Sequence, residues 1–137
     1  MSERSKDWLK QAERDLSHAK HSHENKYYEW TCFSAQQAAG KAIKSVYEKY
    51  NKVVKSHPIV GLLEGIKEFN FSEEFYNCGR ILTRYYIEAK YPNGFPEGAP
   101  ADYFDEKLSQ EAIDAAEKIL KWCRDMVEIE KGVVVSS

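Results

Sequence analysis

The sequence predicts an all-α protein: an up-and-down bundle of four main helices plus a short extra one, in a single domain over residues 1–137. Apolar residues recur at helical spacing over nearly the whole chain, and no alternating run is long enough to read as a strand. Helix breakers gather in one place instead of punctuating many short elements. Residues 85–103 hold three of the four prolines (Pro92, Pro96, Pro100) and two of the seven glycines (Gly94, Gly98).

The first helix is expected over about residues 4–23, with Trp8, Ala12, Leu16 and Ala19 on one stripe and charges opposite. The second, about residues 27–50, is more apolar. Trp30, Phe33, Ala38, Ala42, Val46 and Tyr50 fall near one face, widened by Ala39, Ile43 and Tyr47. So broad an apolar arc belongs at the centre of a bundle or in a dimer interface. Gly40 inside it costs about 1 kcal/mol relative to alanine, which close approach of another helix would explain.

Ser56, His57 and Pro58 form a start signal, since proline tolerates a first turn where its missing N–H has no intrahelical partner. The short helix they open carries Ile59, Leu62, Leu63 and Ile66 and frays near Asn70. Ser72, Glu73 and Glu74 open the next, placing acidic groups at the positive end of its dipole. That helix carries Phe75, Ile81, Leu82, Tyr85, Tyr86 and Ala89 and is ended by Pro92. A last amphipathic helix over about residues 109–129 is built on Ala112, Ala116, Ile119, Leu120, Cys123 and Val127, followed by a tail expected to fray.

A chain of 137 residues buries roughly two thirds of its unfolded surface, enough for one core. Its net charge of −2 exerts no global pull on nucleic acid, so any such binding needs a local cationic patch. There is no long apolar run and no secretory start, and Cys32, Cys78 and Cys123 lack metal or disulfide spacing. These features lead to the expectation of a cytoplasmic protein with free thiols, no membrane association and no cofactor.

Catalytic templates find little purchase. His18, His21 and His23 cluster near the end of the first helix, where the dipole favours histidine and no carboxylate-rich partner motif marks a metal site. No glycine-rich phosphate loop is present. Arg80 and Arg84 are four residues apart, hence on one helical face, with tyrosines close by. Guanidinium groups grip phosphate in bidentate fashion and tyrosines stack on bases. Glu73, Glu74 and Glu88 lie close enough to offer ion pairing instead, and taken by itself the segment favours a structural ion-pair face.

Three segments together resemble the HEPN family, small helical bundles named for nucleotide binding in higher eukaryotes and prokaryotes. They are the first helix with Trp8, Ala12 and Asp15; the run from Phe33 to Lys44, where the family usually has Glu at the position of Gly40; and the run from Tyr85 to Pro92, close to a Tyr-x-x-x-Arg-Tyr-Pro pattern. The resemblance implies a homodimer, frequent pairing with a minimal nucleotidyltransferase in toxin–antitoxin-like systems, and in many members a metal-independent ribonuclease. That activity uses Arg followed after four to six residues by His.

Here Ala89, Lys90 and Tyr91 fill the window after Arg84, and no histidine follows His57. Alanine neither takes nor gives a proton, so the expectation is a non-catalytic module. The nucleotide- or RNA-binding candidates are Arg80, Arg84, Tyr86, Lys90 and Tyr91. The alternatives are a diverged ribonuclease using Glu88, Lys90 or His57, and a purely structural dimeric scaffold whose loop covers the bundle end.

Overall fold

The computed structural model describes residues 3–85 and 95–129. Five α-helices account for most of them: α1 (Ser5–Glu24), α2 (Tyr28–Lys49), the short α3 (Ile59–Glu64), α4 (Glu73–Thr83) and α5 (Glu106–Glu128). The described residues also hold single 3-10 turns at Lys67–Phe69 and Pro100–Asp102, and no strand occurs among them. None of the helices is long and apolar enough to cross a membrane.

Side-chain pairs give the helix directions. Asp15 meets Lys41 at 2.6 Å and His18 meets Ser34 at 2.8 Å, so α1 and α2 are antiparallel. Glu13 with Arg124 and Lys20 with Glu117 run α1 against α5, and Glu74 with Lys118 and Arg84 with Glu111 run α4 against α5. The four long helices therefore go up, down, up, down. Because α2 and α5 are parallel, their C-termini meet, and Lys49 donates to the carbonyls of Val127 (2.6 Å) and Ile129 (2.9 Å). The last turn of α5 has no basic residue of its own, so α2 supplies the cation that complements its dipole.

Helix α2 is the centre of the bundle, and thirteen of its residues are buried. Its arc is consumed within the chain by α1, α5, α3 and α4. Trp30 departs from the expected core stripe and is 44% exposed. At 100° per residue, position 30 falls in register with Gln37, Lys41, Lys44 and Glu48, the one outward line of the helix, and far from Ala38, Ala42 and Val46. Trp8 is likewise displaced to the edge, with the Lys44 ammonium 5.9 Å from its ring, and Leu9 takes its place in the core.

Two boundaries differ from expectation. Helix α5 starts one turn earlier than residue 109, because the Asp105 carboxylate accepts from the Leu108 N–H at 2.8 Å and caps the helix there. Helix α4 ends at Thr83, whose hydroxyl donates to the Gly79 carbonyl (2.8 Å) while accepting the Val60 N–H (3.0 Å). The side chain thus takes over backbone partners at the helix end and ties it to the start of α3. The expected continuation through Ala89 and the C-terminal tail lie outside the described residues. Ser72 caps α4 as foreseen, accepting from Phe75 N–H at 3.1 Å.

Gly79 sits where two helices approach closely, and Gly40 does not. A Cβ on Gly79 would stand 2.6 Å from Leu63 Cδ1 and 3.2 Å from Ile59 Cγ2, whereas one on Gly40 meets only Ile59 Cδ1 at 3.5 Å, an ordinary contact. Gly40→Ala is therefore expected to raise stability by about 0.5–1 kcal/mol through helix propensity. Gly79→Ala is expected to lower it by about 1–3 kcal/mol through overpacking. Urea unfolding of the two variants checks the opposite signs.

Candidate functional site

Arg80 and Arg84 leave the same helix for different surroundings. Arg80 Nη1 pairs with Glu73 Oε1 at 2.8 Å, and its guanidinium covers the Tyr76 ring at 4.6 Å. Tyr76 in turn donates to Glu64, which holds that carboxyl below the usual carboxylate range. Such exposed pairs contribute little stability. Arg80 belongs to a local ion-pair chain along α3 and α4, the structural alternative its neighbours foreshadowed.

Arg84 follows the last turn of α4. Its Nη2 lies 3.7 Å from Glu111 Oε1 on α5 and donates to the Tyr85 hydroxyl at 3.3 Å. Its guanidinium carbon stands 5.3 Å from the Tyr85 ring. Tyr85 is buried against Phe104, ring centroids 5.6 Å apart, and Phe95 stacks on Tyr103 at 4.2 Å and meets Phe104 edge-on at 6.3 Å. This part of the proline-rich loop covers the bundle end. Behind it burial pushes the Cys32 thiol up to about 12; Arg84 opposes that rise, and Asp105, Glu111 and Glu29 add to it. Burial also raises the Tyr85 phenol, against the hydrogen bond from Arg84.

Beyond Arg84 a groove of about 770 Å³ runs between α4 and α5. Ile81, Cys78 and Ala115 form an apolar floor, and Asp105, Glu106, Glu111 and Asp114 line the rim. Two lysines, Lys107 and Lys118, face these four carboxylates, and Lys118 is already tied to Glu74 at 2.8 Å. Among the described residues, Arg84 thus stands at the edge of a surface on which carboxylates outnumber lysines. Apolar periodicity in the last helix reports only its core face and says nothing of this rim. The signal was there in Glu106, Glu111 and Asp114, spaced to share the outward side.

Of the candidates, Tyr86, Lys90 and Tyr91 lie outside the described residues, as does Ala89. The three histidines of α1 do not converge. His18 bonds Ser34, His23 bonds Ser109 at 2.5 Å, and His21 stands beside Asn25, so they serve helix packing and the turn after α1. Among the described residues no group of three His, Cys, Asp or Glu is placed to hold a metal ion.

The HEPN domain matches residues 5–126. This chain belongs to the HEPN domain family. Its structure is similar to that of TT1696 from Thermus thermophilus, with a TM-score of 0.87 and 34% identity over 91% of this chain and 99% of the other. ST0689, an archaeal HEPN homologue, superposes with a TM-score of 0.79 at 34% identity over 93% and 100% of the two chains. A HEPN domain protein from Thermotoga maritima, TM0613, gives 0.73 at 30% identity over 90% and 99%. No protein of curated function matches the chain. The match covers all four long helices and the Arg84 end, and the up-and-down arrangement is that of a HEPN bundle.

Proposed function

We propose that this HEPN chain is a non-catalytic single-domain module that homodimerises and engages a protein partner, a minimal nucleotidyltransferase, at its Arg84 end. The observation that carries the reading is the state of Arg84. The residue that corresponds to the arginine of the family's nuclease motif is joined to Glu111 and Tyr85 at the rim of an acidic groove. The position where the motif needs an acid–base group is alanine in sequence, so RNA cleavage lacks its proton carrier. The carboxylate rim also repels phosphate, which favours a protein partner over nucleotide or RNA. Lys90, Tyr86 and Tyr91 stay with Arg84 as the proposed contacts; Arg80 is proposed as structural.

The dimer rests on the family, since the arc of α2 is spent inside the chain and only the Trp30 line remains outward. Purified protein is expected to leave labelled RNA intact with and without divalent metal, to scatter light as a dimer at micromolar concentration, and to co-elute with a co-expressed minimal nucleotidyltransferase. RNA cleavage that disappears in Arg84→Ala would overturn the non-catalytic reading. A monomer that elutes alone would remove the partner reading.

A further inference from the structure

The seam between α4 and α5 does not stop at the acidic groove. On the far side of the Lys118–Glu74 bridge a second cavity of about 220 Å³ continues the same line, walled by Phe75 and Trp122 with ring centroids 5.0 Å apart. The bridge between the two cavities is exposed at both ends, with side chains 57% and 74% accessible, so opening it costs little. Together the cavities follow α5 from Asp105 to Asp125, about 30 Å of helix.

Trp122 carries the second, independent observation. Its residue is 4% exposed and its Nε1–H is buried without an acceptor. Among the described residues it is the one buried side-chain nitrogen or oxygen left so. Buried donors are nearly always paired, and an orphan in a native structure calls for a reason. A bound acceptor supplies one.

We infer that the α4–α5 seam is the docking groove for a cationic amphipathic segment of the partner protein, deepening the partner reading on which it rests. Arginines or lysines of the segment meet Asp105, Glu111 and Asp114, their aliphatic stems lie on Ile81 and Ala115, and an apolar side chain enters the Phe75–Trp122 cavity. The Trp122 N–H, sealed in the unbound protein, reaches a carbonyl of the segment once the indole tips outward into the cavity. Charge decides against the other occupants. A nucleic-acid strand meets the carboxylate rim with like charge, and a second copy related by a two-fold axis through the seam would set the same acidic patch against itself.

The test uses the isotope-labelled full chain and two synthetic helical peptides, one of arginine and leucine and one of glutamate and leucine. The arginine peptide is expected to move the Trp122 indole N–H resonance and the amides of Ile81, Glu111 and Asp114; the glutamate peptide should move none. Glu111→Lys combined with Asp114→Lys, both exposed positions, is expected to weaken the arginine peptide by at least about tenfold. Trp122→Phe keeps the rim and removes the donor, so it should weaken binding without changing its salt dependence. An unmoved Trp122 indole, equal binding of both peptides, indifference to the charge reversals or no binding at low salt overturns the groove. Co-elution with the nucleotidyltransferase, read separately in wild type and in the charge-reversed variant, distinguishes a wrong groove from a wrong partner reading.

Discussion

Raising the pH above 9 is expected to unfold this bundle steeply. Cys32 and Cys123 are fully buried, and burial is the first cause of the rise of both thiols, Cys32 from 9.0 to about 12 and Cys123 higher still. Burial likewise raises Cys78, Tyr47 and Tyr85. Each folded-state pKa lies above its unfolded value. The contribution is therefore fully present below pH 9, where both states hold the proton, and is lost as pH climbs towards the folded value. In that window the unfolded chain binds fewer protons, and each such group removes about 1.4 kcal/mol of stability per pH unit. Two thiols alone remove about 3 kcal/mol per unit, against a total of about 5–15 kcal/mol for an ordinary domain. Lys44, lowered chiefly by burial, acts with the opposite sign and offsets part of the loss. Urea midpoints measured between pH 8 and 11 check this, with Cys32→Ala combined with Cys123→Ala expected to flatten the fall. A midpoint unchanged across that range would contradict the burial of these thiols.

Much of the fold was legible because its signals are local. Ser72 before two glutamates marks a cap wherever the helix later packs, and Pro58 marks a helix entry. What stayed hidden depended on angle or on distance along the chain. Trp8 and Trp30 look like core residues by type, yet helical phase turns Trp30 outward and Trp8 sits at the edge of its stripe, and the alanines of α1 and α2 form the close seam instead. The Asp105 cap lies just after a stretch dominated by prolines and glycines, where helical periodicity has not yet begun. At the site, Glu73, two helical turns before Arg80, already foretold an ion pair. The partner of Arg84 did not, since Glu111 comes from another helix and meets it only through the antiparallel packing of α4 on α5. The groove and the orphan Trp122 donor are products of that same packing, and no spacing in one helix encodes them.

Ile43→Ala and Trp30→Ala, two truncations on the same helix, are expected to part company. Ile43 is fully buried at the centre of the bundle, so its loss removes apolar contacts and leaves a cavity that α2, held on several sides, does not collapse to fill. The cost is about 2–5 kcal/mol, and it should be the same at every protein concentration because the contacts lie within one chain. Trp30 loses more atoms on truncation but is 44% exposed and meets Phe33 edge-on at 6.1 Å, so within the monomer its removal should cost about 1 kcal/mol or less. The outward α2 line that begins at Trp30 is also the part of the helix a second copy of the chain would still find uncovered. If the proposed homodimer uses that line, Trp30→Ala will shift the monomer–dimer equilibrium while Ile43→Ala lowers the unfolding midpoint alone. Thermal melts and light scattering of both variants over a concentration series separate the two effects. A Trp30→Ala variant that is as dimeric as the wild type places the interface elsewhere, and an Ile43→Ala variant of unchanged stability would contradict the central position of α2.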